Sequence, residues 1–244
     1  MKRKHYFVII LVIFICLALD CRLPFTKTAA VYAGSTSAIL DLLENKIDKS
    51  KQILLVTNNS LSSVKVTVTL FDKKENNWTK NGESFPGVIG KNGFAGPNEK
   101  REGDGRSPSG LFSLQRTFGY QASIKTMMPY RQALADDLWI DDVNAPDYNT
   151  WVKKKHTGAL SYEKMKRDDN LYKYGIVIEY NTSPVIKGNG SAIFFHIWRG
   201  DDKATAGCVA VAEENIIKIL EWLNPRANPV IIMGTEAQIE GSIK

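Results

Sequence analysis

The sequence predicts a mainly β domain, curled or sandwich-like, with a short helix close to its C-terminal end. Short runs of Val, Ile, Leu and Phe recur along the chain and are separated by turn residues such as Gly, Pro and Asn. Helical periodicity of the apolar residues is clear in one later segment, 213–223. With 244 residues and a hydrophobic content of 43%, the chain can build one sizeable core.

The first segment has the pattern of an export signal. Residues 2–4 are basic and precede an apolar run at 6–19, which is the order found in secretory signals. The run is shorter than the about 20 apolar residues that a membrane-spanning helix needs. Candidate cleavage sites end at Ala33 and Ala30, both rather far from the run. We therefore expect an exported protein in which 1–33 is a signal peptide or an N-terminal membrane anchor.

Strand-like segments follow a predicted short helix and linker at 34–50. Residues 52–57 are rich in Ile, Leu and Val, and residues 64–70 alternate apolar with polar side chains, the period of a half-exposed strand. Together these two segments predict a hairpin. Other short strands are predicted at 85–90, 110–114, 176–180, 192–197 and 229–233.

The remaining segments are predicted as loops and one helix. Residues 91–109 form a glycine-rich charged loop, and residues 121–172 are polar and irregular and are expected to decorate the sheet. In the helix at 213–223, the apolar face contains Ile216, Ile217, Leu220 and Leu223, and Asn224-Pro225 ends it. We assign 51–235 as the folded domain and 236–244 as a C-terminal tail.

The charge distribution argues against a nucleic-acid-binding protein. The formal net charge is +6, but five of the 32 basic residues and one of the 26 acidic residues lie in 1–33. The rest of the chain is nearly neutral, with a net charge of +2, and shows no basic stripe interleaved with aromatic residues. Asp141-Asp142 is interpreted as an exposed turn rather than a metal site, since no His or Cys lies near it in sequence.

Cys208 is the only cysteine beyond the first two dozen residues. An unpaired thiol in an exported protein suggests a nucleophile, which needs a depressed pKa to act as a thiolate. His196 precedes it by twelve residues and could serve as the base, and Gly207 could present a backbone N–H to an oxyanion. The alternative from the residues alone is a packed core cysteine and a hydrogen-bonded core histidine.

The segment resembles a known family. His196 followed by Thr205-Ala206-Gly207-Cys208-Val209 is similar to the signature of the L,D-transpeptidase (YkuD) catalytic domain. The resemblance continues upstream, where 103–112 is similar to the family's T-P-x-G-x-F motif. Further similar segments are 139–142, 148–149, 180–181 and 190–196. It covers roughly residues 50–235.

The resemblance implies a β-sandwich-like fold and acyl transfer on peptidoglycan stem peptides. Cys208 would be the nucleophile, His196 the general base and acid, and the backbone carbonyl of Ile197 would orient the imidazole. A thioester forms as D-alanine leaves, and an amine of a second stem resolves it. No metal or cofactor is implied, and we expect a monomer at the cell wall or the outer face of the membrane, where 6–19 could attach it.

Departures from the family pattern leave alternatives open. Ala206 and Ala210 replace polar side chains that many members carry, so transfer to water, as in an L,D-carboxypeptidase, remains an alternative. A non-catalytic wall-binding module of the same fold is another. Four residues are candidates for substrate binding or for positioning it, namely Arg106, Arg199, Lys203 and Thr205. For Arg199 and Lys203 the alternative is a solvated loop, and Thr205 either holds the loop through a hydrogen bond or is merely small.

Overall fold

The computed structural model describes residues 47, 49–75 and 77–241. The predictions for the signal or anchor segment at 1–33, including the apolar run at 6–19, lie outside these residues, as does most of the helix and linker at 34–50. Within the described part of the chain, no helix has the length and apolar character needed to cross a membrane.

The fold is mainly β, as the sequence predicts. Thirteen strands are present in the described residues, and they are, in chain order, β1 Gln52–Asn58, β2 Lys65–Lys74, β3 Asn77–Lys80, β4 Phe85–Val88, β5 Gly110–Gly119, β6 Tyr130–Gln132, β7 Asp137–Ile140, β8 Trp151–Lys153, β9 Tyr162–Lys164, β10 Tyr174–Ile178, β11 Phe194–Ile197, β12 Val209–Val211 and β13 Val230–Thr235. Two α-helices accompany them, α1 Glu213–Trp222 and α2 Glu236–Gly241. Short 3-10 turns lie at Lys154–His156 and Pro225–Ala227.

Ten strands form one large sheet that closes on itself. Its order is β1-β13-β5-β10-β11-β12-β4-β2-β3, with β6 beside β5, and β1 also pairs with β2. The predicted hairpin of β1 and β2 is confirmed, with Ile53 opposite Phe71 in an antiparallel register. Three pairings are parallel, β1 with β13, β5 with β6, and β11 with β12, which hairpin reasoning does not predict.

The main core lies on the inner face of this curved sheet and against α1. Alternating residues of the strands point inward, as shown by Phe195 and Ile197 of β11 and by Val209 and Val211 of β12. The helix α1 contributes its buried face, Ile216, Ile219 and Leu220, to the same core. The predicted face is therefore slightly rotated, because Ile219 is buried and Ile217 is only half-buried.

The segment 121–172 is more ordered than the sequence predicts. It contributes β6 to the large sheet and forms a separate three-stranded sheet in the order β8-β7-β9. The buried carboxylate of Asp137 holds this small sheet, since it accepts hydrogen bonds from Arg131, the Leu134 N–H and the Trp151 indole at 2.7, 2.8 and 2.8 Å. Burial opposes the charge, but these hydrogen bonds outweigh it, so the pKa of Asp137 is lowered.

The small sheet covers the outer face of the large sheet beside β11. Trp139 of β7 meets Phe194 of β11 edge to face, with 5.0 Å between ring centroids. Within the segment predicted as a tail, α2 packs Ile239 into a second, smaller cluster with Ile53 and Leu55. The small sheet thus builds a wall over one end of β11 and β12, and the candidate site lies there.

Candidate active site

The register of two parallel strands places His196 and Cys208 on one face of the large sheet. His196 lies opposite Ala210 in the pairing of β11 with β12. Because side chains alternate along a strand, Cys208, two residues before Ala210, points to the same side as His196. This is the outer face, opposite to the core residues of both strands. Both side chains line one cavity of about 420 Å³.

The Cys208 thiol is enclosed and held by backbone groups. Its side chain belongs to a buried cluster with Phe194, Tyr172 and Trp139. The sulfur accepts the Phe194 N–H at 3.3 Å and donates to the Ala192 carbonyl at 3.3 Å. Burial raises the pKa of Cys208 to about 12, although the Phe194 N–H opposes this. In the free protein desolvation dominates, so the thiol lacks the depressed pKa that a resting thiolate needs.

His196 is buried and neutral. Its Nδ1 lies 2.7 Å from the Ile197 carbonyl oxygen, and since a carbonyl only accepts, Nδ1 carries the proton and Nε2 is the basic nitrogen. Burial lowers the pKa of His196 to about 4, in spite of this hydrogen bond. The Tyr172 ring packs against the imidazole with 5.2 Å between centroids. The hydrogen bond from His196 Nδ1 to the Ile197 carbonyl is the one that the family resemblance implies.

The turn before Cys208 is tied by the hydroxyl of Thr205. This hydroxyl donates to the Cys208 carbonyl at 2.6 Å and accepts the Gly207 N–H at 3.1 Å. The Thr205 N–H also donates to the Ile89 carbonyl at 2.9 Å, which fastens the turn to the end of β4. Of the two interpretations of Thr205, hydrogen bonding is therefore the one observed.

Gly207 is required at its position by the backbone. Its φ is +154°, and a Cβ there would lie 3.0 Å from the Arg106 carbonyl oxygen and 3.3 Å from the Ile193 side chain. Its N–H is engaged by Thr205 in this conformation. Gly207 can serve an oxyanion, as the sequence analysis expects, only if that hydrogen bond is shared or released.

Ser107 is a contributor to the site that the sequence analysis did not single out. Its side chain is fully buried, and its hydroxyl donates to the Gly207 carbonyl at 2.6 Å, with the Cys208 carbonyl at 3.3 Å. The same oxygen accepts the Gly90 N–H at 3.0 Å. Ser107 stands at the Thr position of the T-P-x-G-x-F motif to which 103–112 is similar, but the sequence analysis treated the segment as a loop and gave this serine no role.

Comparison with known protein families identifies the domain that contains these residues. Residues 47–232 match the model of the YkuD family, the L,D-transpeptidase catalytic domain. The chain belongs to the YkuD family.

Other comparisons add little to this assignment. No curated protein matches the chain significantly. Among solved structures, the chain is similar to the helical cell shape determining protein Pgp2 from Campylobacter jejuni, with 14% identity and a TM-score of 0.40. The match covers 77% of this chain and 48% of that protein, so the chain spans about half the length of this structural neighbour.

Three of the predicted substrate-binding residues, Arg199, Lys203 and Thr205, line the cavity of this YkuD domain. Arg199 and Lys203 lie in the loop between β11 and β12, and each side chain is 62% exposed. Arg199 lies 3.5 Å from Asp169, and Lys203 lies 2.9 Å from Asp202. Exposed ion pairs of this kind contribute little to stability and can be exchanged for other carboxylates.

Arg106 does not line the cavity. Its guanidinium lies 3.6 Å from the Glu99 carboxylate, and only its backbone carbonyl approaches Gly207. The side chain of Ser107 points to the cysteine turn, whereas that of its neighbour Arg106 lies outside the cavity lining. The role of Arg106 in positioning substrate stays a prediction.

Several charged residues of the cavity were missed. Glu102, Asp141, Glu163 and Arg167 all line it, together with Lys100. Burial raises the pKa of Asp141 and of Glu163. The interpretation of Asp141 as part of an exposed turn is therefore corrected, because Asp141 directly follows β7, is half-buried and lines the cavity. Sequence spacing could not bring these residues together, because they come from separate loops and from the small sheet.

Proposed function

We propose that this protein is an L,D-transpeptidase that cross-links peptidoglycan stem peptides through a thioester on Cys208. The observation that carries this proposal is the parallel register of β11 and β12, which sets the thiol and the imidazole on one face. A packed cysteine would not need a cavity beside it, whereas here both side chains line one. Family membership supports the same chemistry.

In the first half-reaction, the Cys208 sulfur attacks the carbonyl carbon between the diamino residue and the terminal D-alanine. The thiol proton passes to His196 Nε2 as the S–C bond forms, and the carbonyl oxygen takes up negative charge. The N–H of Cys208, together with that of Gly207 when released by Thr205, would stabilise this charge. The C–N bond then breaks, the imidazolium returns its proton to the D-alanine amine, and a thioester remains.

In the second half-reaction, an amine of a neighbouring stem attacks the thioester carbon. His196 takes a proton from this amine, the C–S bond breaks, and the departing sulfur recovers the proton from the imidazolium. The product is an amide between two diamino residues. If water replaces the amine, the same steps give a carboxylic acid, which is the L,D-carboxypeptidase outcome.

The neutral resting pair favours proton transfer during attack over a preformed ion pair. With the pKa of Cys208 raised to about 12 and that of His196 lowered to about 4, neither group is charged near neutral pH. A neutral imidazole with Nδ1 fixed on the Ile197 carbonyl keeps Nε2 ready to accept a proton. The imidazole is thus oriented by a neutral backbone carbonyl, so no carboxylate charge has to be buried beside it.

The remaining assignments complete the proposal. Arg199 and Lys203 would bind carboxylates of the stem at the open side of the cavity, and Thr205 would hold the thiol turn. We assign 51–235 as the catalytic domain of a monomer that is exported through 1–33. Cell fractionation tests this location, and full-length protein confined to the cytosol would contradict it.

The test is intact-mass spectrometry of the purified protein with a defined tetrapeptide stem. The wild type should gain the mass of a thioester and release D-alanine, and the product mass separates cross-linking from hydrolysis. Cys208→Ala should form neither adduct nor product while keeping the same circular dichroism and thermal midpoint. Undiminished turnover by Cys208→Ala would overturn the assignment, and a wild type that folds but never forms an adduct would favour the wall-binding alternative.

A further inference from the structure

Ser107 is held rigidly beneath the turn that carries the thiol. Its backbone N–H donates to the Gly93 carbonyl at 2.9 Å, and its carbonyl accepts the Ala95 N–H at 2.8 Å. Gly90 approaches it so closely that a Cβ on Gly90 would lie 2.8 Å from the Ser107 nitrogen. The hydroxyl therefore has a fixed position and no contact with the cavity.

We propose that Ser107 is a positioning residue that aims the backbone N–H of Cys208 at the oxyanion formed during acyl transfer. The inference rests on the proposed function. The Ser107 hydroxyl holds the Gly207 carbonyl at 2.6 Å. The Gly207–Cys208 peptide bond is trans, so its C=O and N–H point in opposite directions. With the carbonyl drawn to buried Ser107, the N–H faces away, on the side where both residues line the cavity.

A second hydroxyl fixes the next peptide. Thr205 donates to the Cys208 carbonyl at 2.6 Å, so the carbonyl groups before and after the Cys208 Cα are both tied by hydroxyls. Two anchored peptide planes leave the nucleophile's backbone little freedom to rotate. Thr205 also accepts the Gly207 N–H, so it holds the peptides on either side of the Gly207–Cys208 peptide. The middle peptide, which carries the Cys208 N–H, is held by Ser107. A hydrogen bond to the carbonyl also polarises the peptide and strengthens its N–H as a donor.

Two reactions of the same sulfur separate this role from general support of the fold. Acylation by a carbapenem, which opens through a tetrahedral oxyanion, needs the N–H donor. Alkylation by iodoacetamide displaces iodide at a saturated carbon and builds no charge on an oxygen. Both rates are measured at pH 9 on wild type and Ser107→Ala, acylation by intact mass and alkylation on the tryptic peptide 204–218. Cys208→Ala gives the baseline for reaction at other sites.

We expect Ser107→Ala to slow acylation by about ten- to a hundredfold, below the 10²–10³ lost when an oxyanion donor is removed outright. Its alkylation rate should stay close to that of wild type. Ser109→Ala is the matched control, since Ser109 lies two residues away and its hydroxyl donates to the Ala95 carbonyl at 2.8 Å instead. Ser109→Ala should leave both rates unchanged.

Three outcomes would overturn the inference. Equal acylation rates in wild type and Ser107→Ala would show that the hydroxyl does not aim the donor. A parallel fall of acylation and alkylation would show a purely structural role. A wild type that is not acylated at all would remove the proposed function, and this inference with it. If Ser107→Ala does not fold, Ser107→Cys, which weakens the donor at similar volume, replaces it in both assays.

Discussion

The cavity has two regions that are held together by different forces. The first, the floor, consists of His196, Thr205, Gly207 and Cys208, with Ser107 beneath it. Its hydrogen bonds join neutral groups that are buried except for the half-buried Thr205. The second, the charged rim, consists of Arg199 and Lys203, whose ion pairs are largely exposed. Hydrogen bonds of the floor are sheltered from salt, whereas exposed pairs are screened and weak. Geometry for the chemistry is therefore built into the floor, and the rim is free to exchange partners with a ligand.

The largest expected effect is on the floor. His196→Gln removes the proton acceptor but keeps a neutral polar side chain at a buried position, and we expect kcat/KM for the tetrapeptide stem to fall by about 10²–10⁴. The measurement is D-alanine release at pH 7. His156→Gln is the control, since His156 is an exposed residue of the short turn Lys154–His156. If His196→Gln retained most of its activity, the floor would not contain the base.

The pH dependence of alkylation tests whether the floor is neutral at rest. Burial raises the pKa of Cys208 from the ordinary thiol value of 9.0 to about 12, so the thiol stays protonated at pH values at which an exposed thiol is ionised. Since the thiolate is the reactive form, iodoacetamide should label Cys208 slowly at pH 7, and the rate should still be rising at pH 10. The labelling is followed on the peptide 204–218 in native and urea-unfolded protein.

The unfolded protein supplies the control for this experiment. Its thiol loses the burial that raises the pKa, so its labelling rate should level off at a lower pH than that of the native protein. A native rate that is already at a plateau at pH 7 would mean that Cys208 is ionised in the free protein, and the neutral floor would be wrong.

The smallest expected effect is on the rim. Arg199→Ala and Lys203→Ala should each raise KM about two- to fivefold, because exposed charge pairs are worth at most about 1 kcal/mol. The kcat should remain near the wild-type value, and the difference in KM should shrink at high salt. Arg226→Ala, an exposed charge change outside the cavity lining, should alter neither constant. A large fall in kcat for Arg199→Ala would show that Arg199 takes part in the chemical steps and not only in binding.

Local patterns in the sequence predict those parts of the molecule that are made by neighbours in the chain. The alternation at 64–70 becomes β2, the aliphatic run at 52–57 becomes β1, and the helical period at 213–223 becomes α1. The spacing of His196 and Cys208 allows the two residues to meet, but the parallel pairing of β11 with β12 that sets them on one face does not follow from local patterns.

Contacts between distant segments were beyond these patterns. The small sheet in 121–172 has three strands of three or four residues, too short for periodicity to reveal, and the carboxylate of Asp137 in β7 accepts a hydrogen bond from the Trp151 indole of β8. Ser107 looked like loop because its burial arises from a segment a hundred residues later. The raised pKa of Cys208 was missed for a similar reason, since desolvation by Trp139 and its neighbours is a property of the packed domain.

The position of β13 has a consequence for how the domain is made. This strand, Val230–Thr235, is the last of the described strands in chain order, and it lies between β1 and β5 at an interior place in the large sheet. A nascent chain that stops before residue 230 exposes two unsatisfied strand edges, and such edges invite pairing with other chains. Completion of the sheet thus waits for synthesis of β13, and truncations that remove this strand should aggregate.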